Sequence, residues 1–124
     1  TTAIAETRYH TGLFLAATHE DSMRLQMRLY TVQAKGAVVD LREAVVSDTR
    51  IIHPDDYSYS QGIGRQLRAE DVQGILYPSV RKPDGECLAA LRTAILRDCL
   101  HSAYLEYNWN GREIDAVFEV EQVA

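Results

Sequence analysis

The chain has 124 residues, 46% hydrophobic and 25% charged, a balance that fits one ordinary globular domain and excludes a disordered chain. Eighteen acidic residues outweigh thirteen basic ones, for a formal net charge of −5. That excludes a general phosphate-backbone binder, which needs a basic stripe to release counterions, and no direct nucleic-acid partner is expected.

A local basic pocket is still compatible with the charge. All the cations except Lys35 and Lys82 are arginines, which fork well onto carboxylate or phosphate and are also common solubilising residues. Cys87 and Cys99 are too few for a disulfide framework, and no CxxC or HxxxH pair suggests a metal site. No metal is therefore expected, and a cytoplasmic setting is. No apolar run approaches the roughly 18 residues of a membrane span, so no membrane partner is expected either.

The chain opens at Thr1 inside a helix-like pattern, with Thr1 as N-cap and a helix predicted to about Ala17 that Gly12 weakens. A polar break at His19–Ser22 follows. From Met23 to Val32 the period becomes two, with Met23, Leu25, Met27 and Leu29 alternating with polar neighbours, as in a half-buried strand. Lys35-Gly36 reads as a turn and Ala37–Leu41 as the return strand of a hairpin. Residues 42–56 read as mostly irregular, punctuated by Pro54-Asp55-Asp56.

A second helix is predicted over Tyr57–Glu70, then a short buried strand over Gly74–Pro78 that Pro78 ends. Pro83-Asp84-Gly85 is a turn, Cys87–Leu91 a strand, and Ala94–Cys99 a short helix or loop. Ser102–Trp109 and Arg112–Val120 flank Asn110-Gly111, the strongest short signal for a type I′ hairpin turn. The sum is α+β, with more strand than helix and no regular βαβ alternation.

Few residues signal chemistry. Glu6 and His10 are four apart and share a helix face, which suits acid–base work or holding a sugar hydroxyl; a surface pair or a satisfied buried residue has the same spacing. Gly62-Ile63-Gly64 resembles a fragment of a phosphate loop but lacks the third glycine and a Walker lysine, so close helix packing or a bent turn explains it as well. Ser79 follows a buried strand at a proline-enforced exit, where side chains are often presented to ligands. No GxSxG surrounds it, so it reads as a positioning hydroxyl or as an ordinary turn serine, not as a nucleophile. His19, His53 and His101 have no partner at ligand spacing. Trp109 and the tyrosines could stack on a base or simply favour strands.

Two stretches carry a resemblance. Thr2-Ala3-Ile4-Ala5-Glu6-Thr7-Arg8-Tyr9-His10, and the run from Gln61-Gly62-Ile63-Gly64 to Gly74-Ile75-Leu76-Tyr77-Pro78-Ser79-Val80-Arg81, together resemble the RES-domain family. These are bacterial toxins named for an arginine, a glutamate and a serine, and the resemblance runs from Thr1 to about Arg92. It implies a mixed, mainly antiparallel sheet with flanking helices, similar to the ADP-ribosyltransferase toxins, in a single domain over residues 1–124.

The resemblance also implies attack on NAD+ as substrate, by NAD+ degradation or by ADP-ribosyl transfer to a protein target. The implied partner is an antitoxin with an Xre-like DNA-binding region, with which the toxin could form an oligomer. Glu6 matches the family glutamate and Ser79 the family serine, and His10, Tyr77 and Arg81 are the implied NAD+ contacts. The family arginine precedes this stretch, so an N-terminally incomplete domain is expected. The alternative is a non-catalytic binding module of the same fold that only engages a protein partner.

Overall fold

The computed structural model describes all 124 residues. It is α+β, with six strands in two three-stranded sheets, three α-helices and no closed barrel. Its contacts divide it into two compact units, residues 1–2 with 34–97, and residues 3–33 with 98–124.

The second of these units is built on helix α1 (Thr2–Ala17) and a sheet of order β1-β5-β6, where β1 is Met23–Ala34, β5 Leu96–Trp109 and β6 Ile114–Val120. The period-two pattern on β1 does what it predicts: Met23, Leu25, Met27 and Leu29 turn toward the core while the residues between them are exposed. Leu15, Leu105, Tyr107, Trp109 and Ile114 form that core, with Ile4 and Val117 packed against it. Tyr107 and Trp109 are each only 1% exposed. Burying two large aromatics supplies much of the hydrophobic stabilisation of so small a unit.

Helix α1 ends in a Schellman cap. The amide of Glu20 donates to the Leu15 carbonyl and that of His19 to Ala16, with His19 left-handed at φ 53°. The Glu20 carbonyl then accepts from the Trp109 indole at 3.0 Å, which joins the cap to the core.

The β5–β6 hairpin is present, but its turn is not type I′. That turn needs positive φ at both central residues, and only Gly111 has it, at 95°. The Asn110 side chain instead accepts from the amides of Arg112 and Glu113 at 2.8 and 2.9 Å, an Asx arrangement that lengthens the loop. A register shift at Asn108/Trp109 absorbs the change. Strand β5 also starts at Leu96, six residues before its predicted start, after a 3₁₀ turn at Thr93–Ile95.

In the other unit, β2 (Val39–Asp40), β3 (Gly74–Pro78) and β4 (Glu86–Ala90) form a sheet of order β2-β3-β4. The predicted hairpin through Lys35-Gly36 does not form: β2 pairs parallel with β3, Val39 opposite Ile75. The reason is local. Gly36 does not adopt the positive φ of a tight hairpin turn, and it lies so close to Ile95 and Gln73 that a Cβ would sit 2.6 Å from Ile95 Cγ2. The neighbouring amides are also used elsewhere, Lys35 bonding the Ile95 carbonyl and Ala37 the Gln73 side chain.

A parallel pair requires a long crossover, and residues 41–73 supply it. They contain a short helix α2 (Ala44–Ser47) and a 3₁₀ turn (Thr49–Ile52), where the sequence reads as mostly irregular, and then helix α3 (Ser58–Ala69). No helix is long and apolar enough to cross a membrane.

Candidate functional site

Helix α1 presents Glu6 and His10 on one face. Glu6 Oε2 lies 3.7 Å from His10 Nε2; the carboxylate is half-buried and the imidazole exposed. Tyr9 meets the His10 ring edge to face, with centroids 5.2 Å apart.

The helix is held in rotation by contacts that no short-range pattern in the sequence announces. Thr7 Oγ1 and the Tyr107 hydroxyl are 2.7 Å apart, and Arg8 Nε donates to the Ile114 carbonyl at 2.9 Å. Gly12 faces Ile114 Cγ1 at the distance of ordinary packing, so this glycine lies over the sheet. The contacts of Thr7, Arg8 and Gly12, all later in the helix than Glu6, thus fix the rotation of α1 and with it the face that Glu6 occupies.

The other predicted residues lie at the exit of β3. Tyr77 pairs with Cys87 and Pro78 with Glu86 before the strand stops. The Ser79 amide donates to the Gly85 carbonyl at 2.8 Å, while Ser79 Oγ accepts from the amides of Arg81 and Lys82 at 3.2 and 3.1 Å. Ser79 therefore organises the turn, as the turn-serine reading has it. That turn closes tightly: a Cβ on buried Gly85 would lie 2.6 Å from Thr2 Oγ1 and 3.0 Å from the Lys82 carbonyl. The Arg81 guanidinium donates to the Pro54 carbonyl, which ties the turn to the segment leading into α3.

Glu6 and His10 are thus brought together on one helix, and Tyr77, Ser79 and Arg81 at one strand exit; the first pair belongs to one unit and the second group to the other. Gly62 and Gly64 lie inside α3, so they form no phosphate loop, and nothing lies within 4 Å of a Cβ built on Gly64, so close packing does not explain it either. A shallow depression on the β1-β5-β6 sheet is lined by Arg24, Glu106, Asn108 and Phe118, none of them a predicted site residue.

Two ion-pair clusters perturb carboxyl groups elsewhere. Hydrogen bonds from the Arg42 side chain, then from its amide, hold the Asp40 carboxyl down to about 2, and Arg42 also reaches Glu86 at 2.6 Å. Asp48 is held well below the usual carboxylate range by Arg50 and then by the Tyr59 hydroxyl. Both clusters are exposed and brace β2 and the 3₁₀ turn.

These features define an α+β protein whose candidate site residues sit on one helix face and at one strand exit. The chain belongs to the RES domain family, whose model matches residues 1–110. That family is associated with toxin–antitoxin systems acting on NAD+. The chain is also 27% identical over 119 residues to the uncharacterized protein y4oC of Sinorhizobium fredii, a match covering 94% of this chain and 47% of that protein. The chain thus spans about half the length of the curated relative it matches. No solved structure matches it.

Proposed function

We propose that the chain is the catalytic part of a toxin that consumes NAD+. The observation that carries this reading is the family match, which spans both the Glu6 helix and the Ser79 turn. Cleaving the nicotinamide–ribose bond sends the bonding electron pair to the pyridinium nitrogen, so nicotinamide leaves neutral and needs no proton. Positive charge develops on the ribose, as in glycoside hydrolysis. The Glu6 carboxylate accepts a ribose hydroxyl and stabilises that charge. His10, four residues on, supports the carboxylate from the same helix face.

Ser79 positions the dinucleotide through the turn it organises, with Tyr77 beside it, and Arg81 provides the guanidinium fork for phosphate. Water, phosphate or a nucleophile on a protein then bonds to the ribosyl carbon, water losing a proton in the process. A cognate antitoxin with an Xre-like DNA-binding region silences the toxin by covering these side chains.

Incubation with NAD+ labelled in its adenylate half, with and without cell lysate, tests the reading. Loss of NAD+ with label on free ADP-ribose or on a protein band is the expected result. Unchanged NAD+ alongside tight binding to an antitoxin would overturn it and favour the non-catalytic module.

A further inference from the structure

His53 ends the 3₁₀ turn and is followed by Pro54-Asp55-Asp56. Its Nδ1 accepts two main-chain bonds, from the Asp55 amide at 3.1 Å and the Asp56 amide at 2.8 Å. An asparagine or aspartate oxygen makes this pattern in an Asx turn, bonding the amides two and three residues ahead. Here an imidazole nitrogen takes the place of that oxygen. An amide N–H can only donate, so Nδ1 must carry no proton, and the ring must be neutral with its proton on Nε2.

The turn that His53 closes presents the Pro54 carbonyl, and that carbonyl accepts from the Arg81 guanidinium and from the Tyr57 hydroxyl. We infer that His53 is a positioning residue for Arg81: its neutral ring shapes the turn whose Pro54 carbonyl orients the guanidinium, and protonating the ring releases that orientation. This rests on the reading of Arg81 as a phosphate contact. A proton on Nδ1 would face two N–H donors, removing two hydrogen bonds and replacing them with repulsion.

The charged and titratable groups around His53 come from several elements. Asp55 and Asp56 belong to its own turn, and the Asp56 carboxyl is held low by Ser58 first and by His53 least. Tyr57 stands at the entry to α3, and Arg81 reaches in from the turn after β3. Arg50, on the 3₁₀ turn, has its guanidinium committed to Asp48 and Tyr59. Imidazoles as a class exchange a proton between about pH 5 and 8, where carboxylates as a class stay ionised, so that range is the one in which to test the ring.

The experiment compares the full chain with H53N, which keeps the acceptor but cannot titrate, and with H53A, which removes it. NMR without ligand follows the ring nitrogens of His53, the Asp55 and Asp56 amides, and the Arg81 side chain between pH 7.5 and 5.5. An unprotonated Nδ1 at pH 7.5 is expected, with acid-induced changes at Asp55, Asp56 and Arg81 in the wild type that are absent in H53N. NAD+ binding should weaken about tenfold over the same pH range in the wild type, the loss of one charge-assisted contact. H53N should stay flat, and H53A should be weak at both pH values. An Nδ1–H tautomer at pH 7.5, or identical acid responses in the wild type and H53N, would overturn the inference. If no form binds NAD+, the ligand assignment of Arg81 fails, while the NMR comparison still decides the role of His53.

Discussion

Thr7 and Tyr107 are a hundred residues apart in the sequence, yet their hydroxyl oxygens lie 2.7 Å apart. Thr7 Oγ1 also reaches the Ala3 carbonyl at 2.9 Å, one turn back in α1. With the threonine proton on that carbonyl, the phenol is the donor between the two side chains. Tyr107 is almost fully buried, so this bond anchors α1 to the core strand β5 one residue away from Glu6.

Tyr107→Phe keeps the ring and removes the donor. It should cost about 1 kcal/mol, the net value of a typical intramolecular hydrogen bond. Thr7→Ala should cost a similar amount, and the double variant less than the sum of the two. Urea unfolding of the four proteins measures the coupling, and strict additivity would show that the bond contributes nothing.

The cap of α1 offers a stabilising change. His19 is left-handed at φ 53°, a conformation that disfavours a residue bearing a Cβ. His19→Gly removes that cost but adds freedom to the unfolded chain. The net expectation is a gain of about 0.5–1 kcal/mol, read as a rise in melting temperature. A fall would mean that the imidazole makes a compensating contact.

Acid should weaken the Arg42 cluster. The Asp40 carboxyl is held down to about 2 in the folded chain, below an ordinary aspartate at about 3.9. A lowered folded value means that the ionised form is the one stabilised, so this contribution is complete above about pH 4. It is lost as the pH falls through about 2. Asp48, lowered by Arg50 and Tyr59, acts in the same direction at lower pH. Asp40→Asn should therefore flatten the fall of melting temperature between pH 4 and 2, and an unchanged slope would show that the ionised Asp40–Arg42 contact contributes nothing there.

Much of this architecture was legible wherever one segment carried its own signal. Met23 to Leu29 alternate cleanly, and β1 follows; Gly74–Pro78 is a strand at the predicted bounds. The Asn110-Gly111 pair marked a hairpin correctly but not its turn type, because the Asn110 side chain competes for the amides that a type I′ turn would leave to the backbone. Strand β2 departs from the predicted hairpin because its partner Ile75 lies beyond a long crossover, and two residues carry no pattern that could point to it.

The candidate residues divide in the same way. Glu6 and His10 follow from a four-residue spacing, and Ser79 from a strand exit. The clamp of Tyr107 on Thr7, the bond from Arg8 to Ile114 and the His53 turn beneath Arg81 depend on tertiary placement or on the tautomer of a ring. Neither leaves a trace in local composition.

Nicotinamide release by the wild-type chain and by Glu6→Ala tests whether Glu6 stabilises charge on the ribose of NAD+. Glu6 is half-buried and its partner His10 exposed, so the substitution should leave the melting temperature nearly unchanged. Release by Glu6→Ala should fall at least the roughly 10²-fold typical of losing one electrostatic stabiliser. Equal release of nicotinamide by the two proteins, both folded, would mean that Glu6 has no such role.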